Sequence, residues 1–142
     1  MILLDANILV YATTAGPHQK RAAAWLDEQL WSAPKVGMPW ATILAWCRLV
    51  SNPRIFPRPV PLSAAWAQVE EWLALEPVWT PTPTERHAEW LGRLRAEARV
   101  TDGNLMPDLH LAALALEHGL TVVSTDGDFA RFKRVKVLNP LA

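Results

Sequence analysis

Apolar positions along the chain fall into two patterns: short unbroken runs, and longer stretches in which they recur at helical spacing. Ile2-Leu3-Leu4 is an unbroken run that ends at Asp5, as a strand buried on both faces of a parallel sheet does. Asp5-Ala6-Asn7 turns the chain into a helix over Ile8 to Thr13, and Gly16-Pro17 breaks it. From His18 to Trp31, Ala22, Leu26 and Leu30 repeat every fourth position among charged residues, which predicts an amphipathic helix with a solvated polar side. Lys35 to Met38 reads as a second strand. Pro39 opens a helix over Trp40 to Val50, whose only charge is Arg48, so it should be buried.

Asn52 to Pro61 is proline-rich and excludes regular helix or central strand. Beyond it, Ser63 is expected to cap a helix with Trp66, Val69 and Leu73 on one face, stopped by Pro77. Thr82-Pro83-Thr84-Glu85 has capping-box spacing and predicts a helix from about Pro83 to Ala98, with Leu91, Leu94 and Ala98 facing inward. Asp102-Gly103-Asn104 is a turn, Asn104 the expected cap of a helix that carries Asp108 in its first turn, and Gly119 its left-handed end. Thr121 to Thr125 is a strand, Phe129 to Phe132 a helical turn, and Val135 to Leu138 a last strand. Short apolar strands alternating with longer helices predict an α/β sandwich around a parallel sheet.

Composition changes this picture little. A chain of 142 residues is read as a single domain over residues 1–142, and 14 Lys plus Arg against 14 Asp plus Glu give no net charge to indicate a partner. The one cysteine, Cys47, lies among apolar neighbours and reads as a buried small side chain. No signal-like or membrane-length apolar stretch occurs, so a cytoplasmic protein is expected. Eight tryptophans favour core and interface packing over base stacking. His18, His87, His110 and His118 have no metal-ligand spacing, and His110, two positions after Asp108, should point elsewhere.

The acids carry more. Ligands of open parallel sheets bind beyond the carboxyl ends of the strands. Asp5 and Asp126 each follow a predicted strand there, Asp108 opens the helix that returns to the second, and Asp128 shares Asp126's loop. Crowded carboxylates raise one another's pKa unless a cation joins them. Mg²⁺ or Mn²⁺ takes such oxygens and leaves room for a phosphate, which suits phosphodiester hydrolysis. Taken singly, each aspartate also fits a turn or helix cap.

Leu3-Leu4-Asp5-Ala6-Asn7, the run Pro107-Asp108-Leu109-His110-Leu111-Ala112-Ala113-Leu114-Ala115, and Ser124-Thr125-Asp126-Gly127-Asp128-Phe129 together resemble the PIN-domain nucleases, in particular VapC-type toxins of type II toxin–antitoxin systems. The resemblance spans the chain and implies a PIN-like α/β/α sandwich with a short central parallel sheet. It also implies a Mg²⁺-dependent endoribonuclease that acts on RNA, forms a homodimer and is neutralised by a small antitoxin protein. Asp5, Asp108 and Asp126 would then be the catalytic, metal-binding acids, Asp128 a fourth ligand, and Asn7 and Thr125 the groups that orient them. One departure is Trp46, which stands where the family usually has a glutamate; the run Leu49 to Phe56 resembles a subgroup that also lacks that acid. The expectation is one ligand fewer, weaker metal binding or one well-held ion, and a larger part for Asp128.

Arg48, Arg54 and Arg58 near the connector, and Arg131, Lys133, Arg134 and Lys136 after the acidic loop, are the candidate phosphate contacts. Helices bearing Trp66, Trp72 and Trp90 offer apolar surface for a dimer or an antitoxin. Two other readings stay open: a PIN-fold module that binds RNA or a protein without cleavage, and a phosphoryl-transfer domain with Asp5 as nucleophile.

Overall fold

Ile2–Leu4 forms β1, and its period-two alternation divides the molecule: Leu3 packs into one apolar cluster and Leu4 into another, on opposite faces of the sheet. The computed structural model describes residues 1–32 and 34–142. Strand β1 pairs in parallel with β2 (Val36–Gly37) and with β4 (Thr121–Val123), and β3 (Val78–Trp79) and β5 (Val137–Leu138) extend the sheet to the order β3-β2-β1-β4-β5. Every pairing is parallel, so the crossovers must run through helices, which cover both faces.

On Leu4's face lie α1 (Ala6–Thr13), α2 (Gln19–Ser32), α3 (Trp40–Val50) and α4 (Leu62–Leu73), with Ile8, Leu26, Ile43 and Val69 in the shared core. On Leu3's face lie α5 (His87–Glu97) and α6 (Met106–His118), with Leu94, Leu109 and Val122. The result is the expected three-layer α/β/α sandwich. Gly119 ends α6 at φ 67, where a side chain would be strained, and the chain passes at once into β4. Gly37 is required by proximity instead: a Cβ there would stand 3.0 Å from the Ile2 carbonyl oxygen.

Several elements differ from their sequence expectation. Strand β3 was not anticipated, because two residues between Pro77 and Pro81 make no visible apolar run. Helix α4 starts at Leu62, directly after Pro61, without a Ser63 cap, and its inward stripe is Ala65, Val69 and Trp72; Trp66 is 42% exposed. The capping box at Thr82 to Glu85 does not form. Thr84 instead donates through its backbone N–H and its hydroxyl to Glu117 on α6, and α5 begins only at His87. Asp102, not Asn104, caps the turn Gly103–Leu105 that leads into α6.

Helix α3 buries Ile43, Trp46, Cys47 and Val50, as its composition demands, yet it is not buried all round. Leu44 is 59% exposed and lines an apolar recess with Leu62 and Trp66 of α4. Among the described residues no helix is long and apolar enough to cross a membrane.

Candidate metal centre

Pairing of β1 with β4 sets Leu4 opposite Val123, so the residues that follow both strands emerge side by side at the carboxyl edge of the sheet. Asp5 and Ser124 are those residues. Ser124 is buried, and its hydroxyl donates to Asp5 Oδ2 at 2.8 Å while it accepts from Asn7 Nδ2 at 2.9 Å and from the Asp126 backbone N–H at 3.0 Å. Asn7 also donates to Asp5 Oδ2 at 3.2 Å and accepts from the Thr125 N–H at 3.3 Å. Asp5 Oδ1 takes the Ala6 N–H at 2.8 Å, which caps α1. One hydroxyl thus locks the start of α1 to the loop after β4.

That loop then turns through Gly127–Arg131, where Asp126 Oδ1 accepts the Asp128 N–H at 2.8 Å. The turn folds Asp128 back toward Asp126, and α6 presents Asp108 from its first turn. One carboxylate oxygen from each of Asp108, Asp126 and Asp128 lies within 4.8 Å of the others. These three could hold a cation. Asp5 is outside that trio but lines the same cleft with Asp108 and Asp126. Of the four acids singled out in the sequence, three converge and the fourth stands beside them with both oxygens already hydrogen-bonded.

The electrostatics register the crowding. Burial first, then the charges of Asp126, Asp5 and Asp128, push the Asp108 carboxyl from 3.8 up to about 6, against the pull of Arg131. Asp5 is also raised, chiefly by burial and also by Asp126, although Ser124 and Ala6 stabilise its ionised form. A bound cation would remove the repulsion at both.

The group that orients the acids is therefore Ser124 together with Asn7, whereas Thr125 contributes its backbone N–H. A hydroxyl one position past a buried strand, matched by an acid one position past its neighbour, is a signal that would have found it. Trp46, expected from the resemblance to stand where a glutamate is usual, is 2% exposed and turned into the core: its Nε1 donates to Thr13 Oγ1 at 3.0 Å, and its ring meets Trp72 edge-on at 4.8 Å.

The basic residues divide. Arg131 reaches Asp128 at 3.4 Å, and Arg58 lines a cavity that adjoins the acid cleft. Arg134 is held by Glu97 at 2.8 Å and, with Lys136, lies beside Met1 and Thr121 at the opposite edge of the sheet. Those two are removed from the set of phosphate contacts near the acids. The aromatic side chains that line the acid cleft are Tyr11, His18 and Phe56, with no tryptophan among them.

A second polar cluster was missed in the sequence. Glu117, its side chain 1% exposed, accepts from Thr84 and pairs with His87 Nδ1, and His87 Nε2 lies 2.9 Å from His110 Nδ1. His110 does point away from Asp108, toward α5. Its seven-residue spacing from Glu117, two turns along one face of α6, was the available clue.

A profile of the family described as PIN domain matches residues 2–135. Ribonuclease VapC37 of Mycobacterium tuberculosis is 44% identical over 143 residues, which cover 100% of this chain and 99% of that protein. Ribonuclease VapC31 of the same organism is 41% identical over 145 residues, covering 99% of each. The crystal structure of FitAcB from Neisseria gonorrhoeae superposes with a TM-score of 0.71 at 26% identity, over 99% of this chain and 98% of that one.

Proposed function

The chain belongs to the PIN-domain family, and on that premise we propose that it is a Mg²⁺-dependent endoribonuclease, the toxin of a type II toxin–antitoxin system. The observation that carries this reading is the convergence of Asp108, Asp126 and Asp128 within 4.8 Å at the edge of a cleft that Asp5 also lines. Full-length relatives named as VapC ribonucleases support the reaction class, and that kinship supports the further proposal of a homodimer and a cognate antitoxin protein.

In this reading Asp108, Asp126 and Asp128 hold the ion and Asp5 completes its surroundings. A hard divalent ion held there would supply Lewis-acid polarisation of a phosphate and activation of water at neutral pH. The chain's own groups do the positioning. Ser124 and Asn7 fix the Asp5 carboxylate, Asp126 fixes the turn that aims Asp128, and Arg131 offers positive charge beside the acids.

A module that binds RNA or a protein without cutting is the second reading, favoured by Trp46, which brings no carboxylate to the cluster. Calorimetric titration with Mg²⁺ and Mn²⁺, run beside an RNA cleavage assay, separates the two. Asp5→Asn is expected to abolish cleavage and growth toxicity while leaving the circular dichroism spectrum unchanged. An Asp5→Asn protein that still cuts RNA refutes the assignment. A wild-type protein that binds no divalent ion and cuts no RNA refutes the nuclease.

A further inference from the structure

Asp5, Asp108 and Asp126 make up only part of the wall of their cleft, which has a volume of about 490 Å³. The rest of the wall is built for something else. Helix α1 contributes Val10 and Tyr11, its C-cap Thr14 follows them, α3 contributes Leu49, and the proline-rich connector contributes Phe56. Tyr11 and Phe56 are each only half-buried. His18 braces Tyr11 edge-on, with ring centroids 5.3 Å apart and planes at 81°.

Tyr11 is six residues beyond Asp5, the N-cap of α1, and so about 9 Å along the helix axis from it. Past Phe56 the cleft continues into a second cavity of about 410 Å³, which shares Thr14, Ala15 and Phe56 with the first and has Arg58 on its wall. One groove therefore presents a place for a cation-bound phosphate in its first cavity, a cation in its second, and the Phe56 ring on the wall that the two share. A single nucleic-acid strand alternates in the same way, from phosphate to base to phosphate, and its unpaired bases stack on aromatic rings. Bases inside a duplex could not reach these rings.

We propose that the groove is a base-binding subsite: an unpaired nucleobase of single-stranded RNA, flanking the phosphate to be cut, stacks against Tyr11 and Phe56 while Arg58 takes the next phosphate. The inference rests on the nuclease reading, because phosphate meets this cluster of acids only with a cation between them. It makes the proline-rich connector part of the substrate surface and places selectivity for unpaired RNA in Tyr11 and Phe56.

Tyr11 is the chain's only tyrosine, so fluorotyrosine incorporation gives one ¹⁹F resonance that reports this site alone. The resonance is expected to shift when the intact protein in Ca²⁺ is titrated with a short single-stranded RNA of mixed sequence. It should not shift with an abasic oligomer of the same charge or with duplex RNA. No shift with bound single-stranded RNA, or an equal shift with the abasic oligomer, overturns the proposal.

In cleavage assays, Tyr11→Ala and Phe56→Ala should each raise KM about tenfold with kcat unchanged. Tyr11→Phe should behave as wild type, and Arg58→Gln should lower the salt slope of RNA binding by about one. Unchanged KM with cleavage intact overturns the subsite and leaves the nuclease standing. If the alanine variants keep their RNA affinity and instead weaken capture of the antitoxin, the groove belongs to a protein and the proposal falls. If wild type cuts no RNA at all, the nuclease reading fails, and the fluorine shift still decides whether a base is held here.

Discussion

Asp108→Asn is expected to stabilise the protein when no divalent cation is present. The folded chain raises this carboxyl from 3.8 to about 6, by burial first and then by Asp126, Asp5 and Asp128. A carboxyl whose pKa rises on folding binds its proton more tightly in the folded state. Its contribution is therefore intact below about pH 4, is lost as pH rises through about 6, and is wholly a cost above that. Unscreened, the displacement corresponds to about 3 kcal/mol. Asp108 is half-exposed, and solvent screening reduces the figure to about 1–2 kcal/mol. For a chain of this size that raises Tm by about 2–8 °C. The assay is differential scanning calorimetry of wild type and Asp108→Asn in EDTA at low salt, from about pH 4 to pH 8. The variant should melt higher at about pH 8 and level with wild type at about pH 4. Mg²⁺ or Mn²⁺ should raise the wild-type Tm above pH 6 and do little for the variant. A variant that melts lower at pH 8, or a difference that does not change with pH, refutes the picture of mutually repelling acids.

Ser124→Ala should cost about 1–3 kcal/mol, because it leaves Asp5, Asn7 and the Asp126 N–H short of a buried partner. By calorimetric titration it should also weaken divalent binding about 10–100-fold. Trp46→Glu, the residue type that the resemblance leads one to expect there, should not add a ligand; with the indole buried against Trp72 and bonded to Thr13, chemical denaturation should show a loss of about 3–5 kcal/mol. An increase in metal affinity without loss of stability would show that position 46 faces the acids. Burial works to raise the pKa of Glu117, but hydrogen bonds from His87 and Thr84 outweigh it and hold the carboxyl below 4.5. Its stabilisation is therefore present above 4.5 and lost as pH falls below that value. Glu117→Gln should lower stability by about 1–3 kcal/mol at neutral pH, and the gap to wild type, measured by urea unfolding, should narrow on acidification.

Local chemistry decided what could be read from the sequence. Strands β1 and β4 and the stop at Gly119 were visible because apolar runs and a left-handed glycine act within a few residues. The acids were visible because Asp5 and Asp126 follow apolar strand runs, Asp108 opens an apolar helix and Asp128 shares Asp126's loop. Strand β3 was not, since Val78 and Trp79 become a strand only through pairing with Val36 and Gly37. The start of α5 was misplaced because the segment of the expected capping box is tied down elsewhere: Thr84 bonds Glu117 across 33 positions, and its hydroxyl accepts the Arg86 N–H just before the helix begins. The inward face of α4 was read in part: Val69 is buried and Leu73 packs partly against the core, but the Trp46 ring of α3 selects Trp72, with Ala65, and Trp66 is left 42% exposed. Ser124 looked like any strand-end serine until Asp5 was placed next to it. In each case the missing information was a contact between elements distant in the chain.

The bond from Ser124 to Asp5 spans 119 positions. Closing so long a loop precedes any return from the contacts it permits, and such closures are slow compared with local helix formation. During synthesis, a ribosome that has not yet passed Val123 carries a chain with Asp5 but without the loop that answers it. A fragment that ends just upstream of Asp126 lacks two of the trio, Asp126 and Asp128, and keeps Asp108 alone. The acid cluster can therefore form only once the chain has been made through the loop that follows β4.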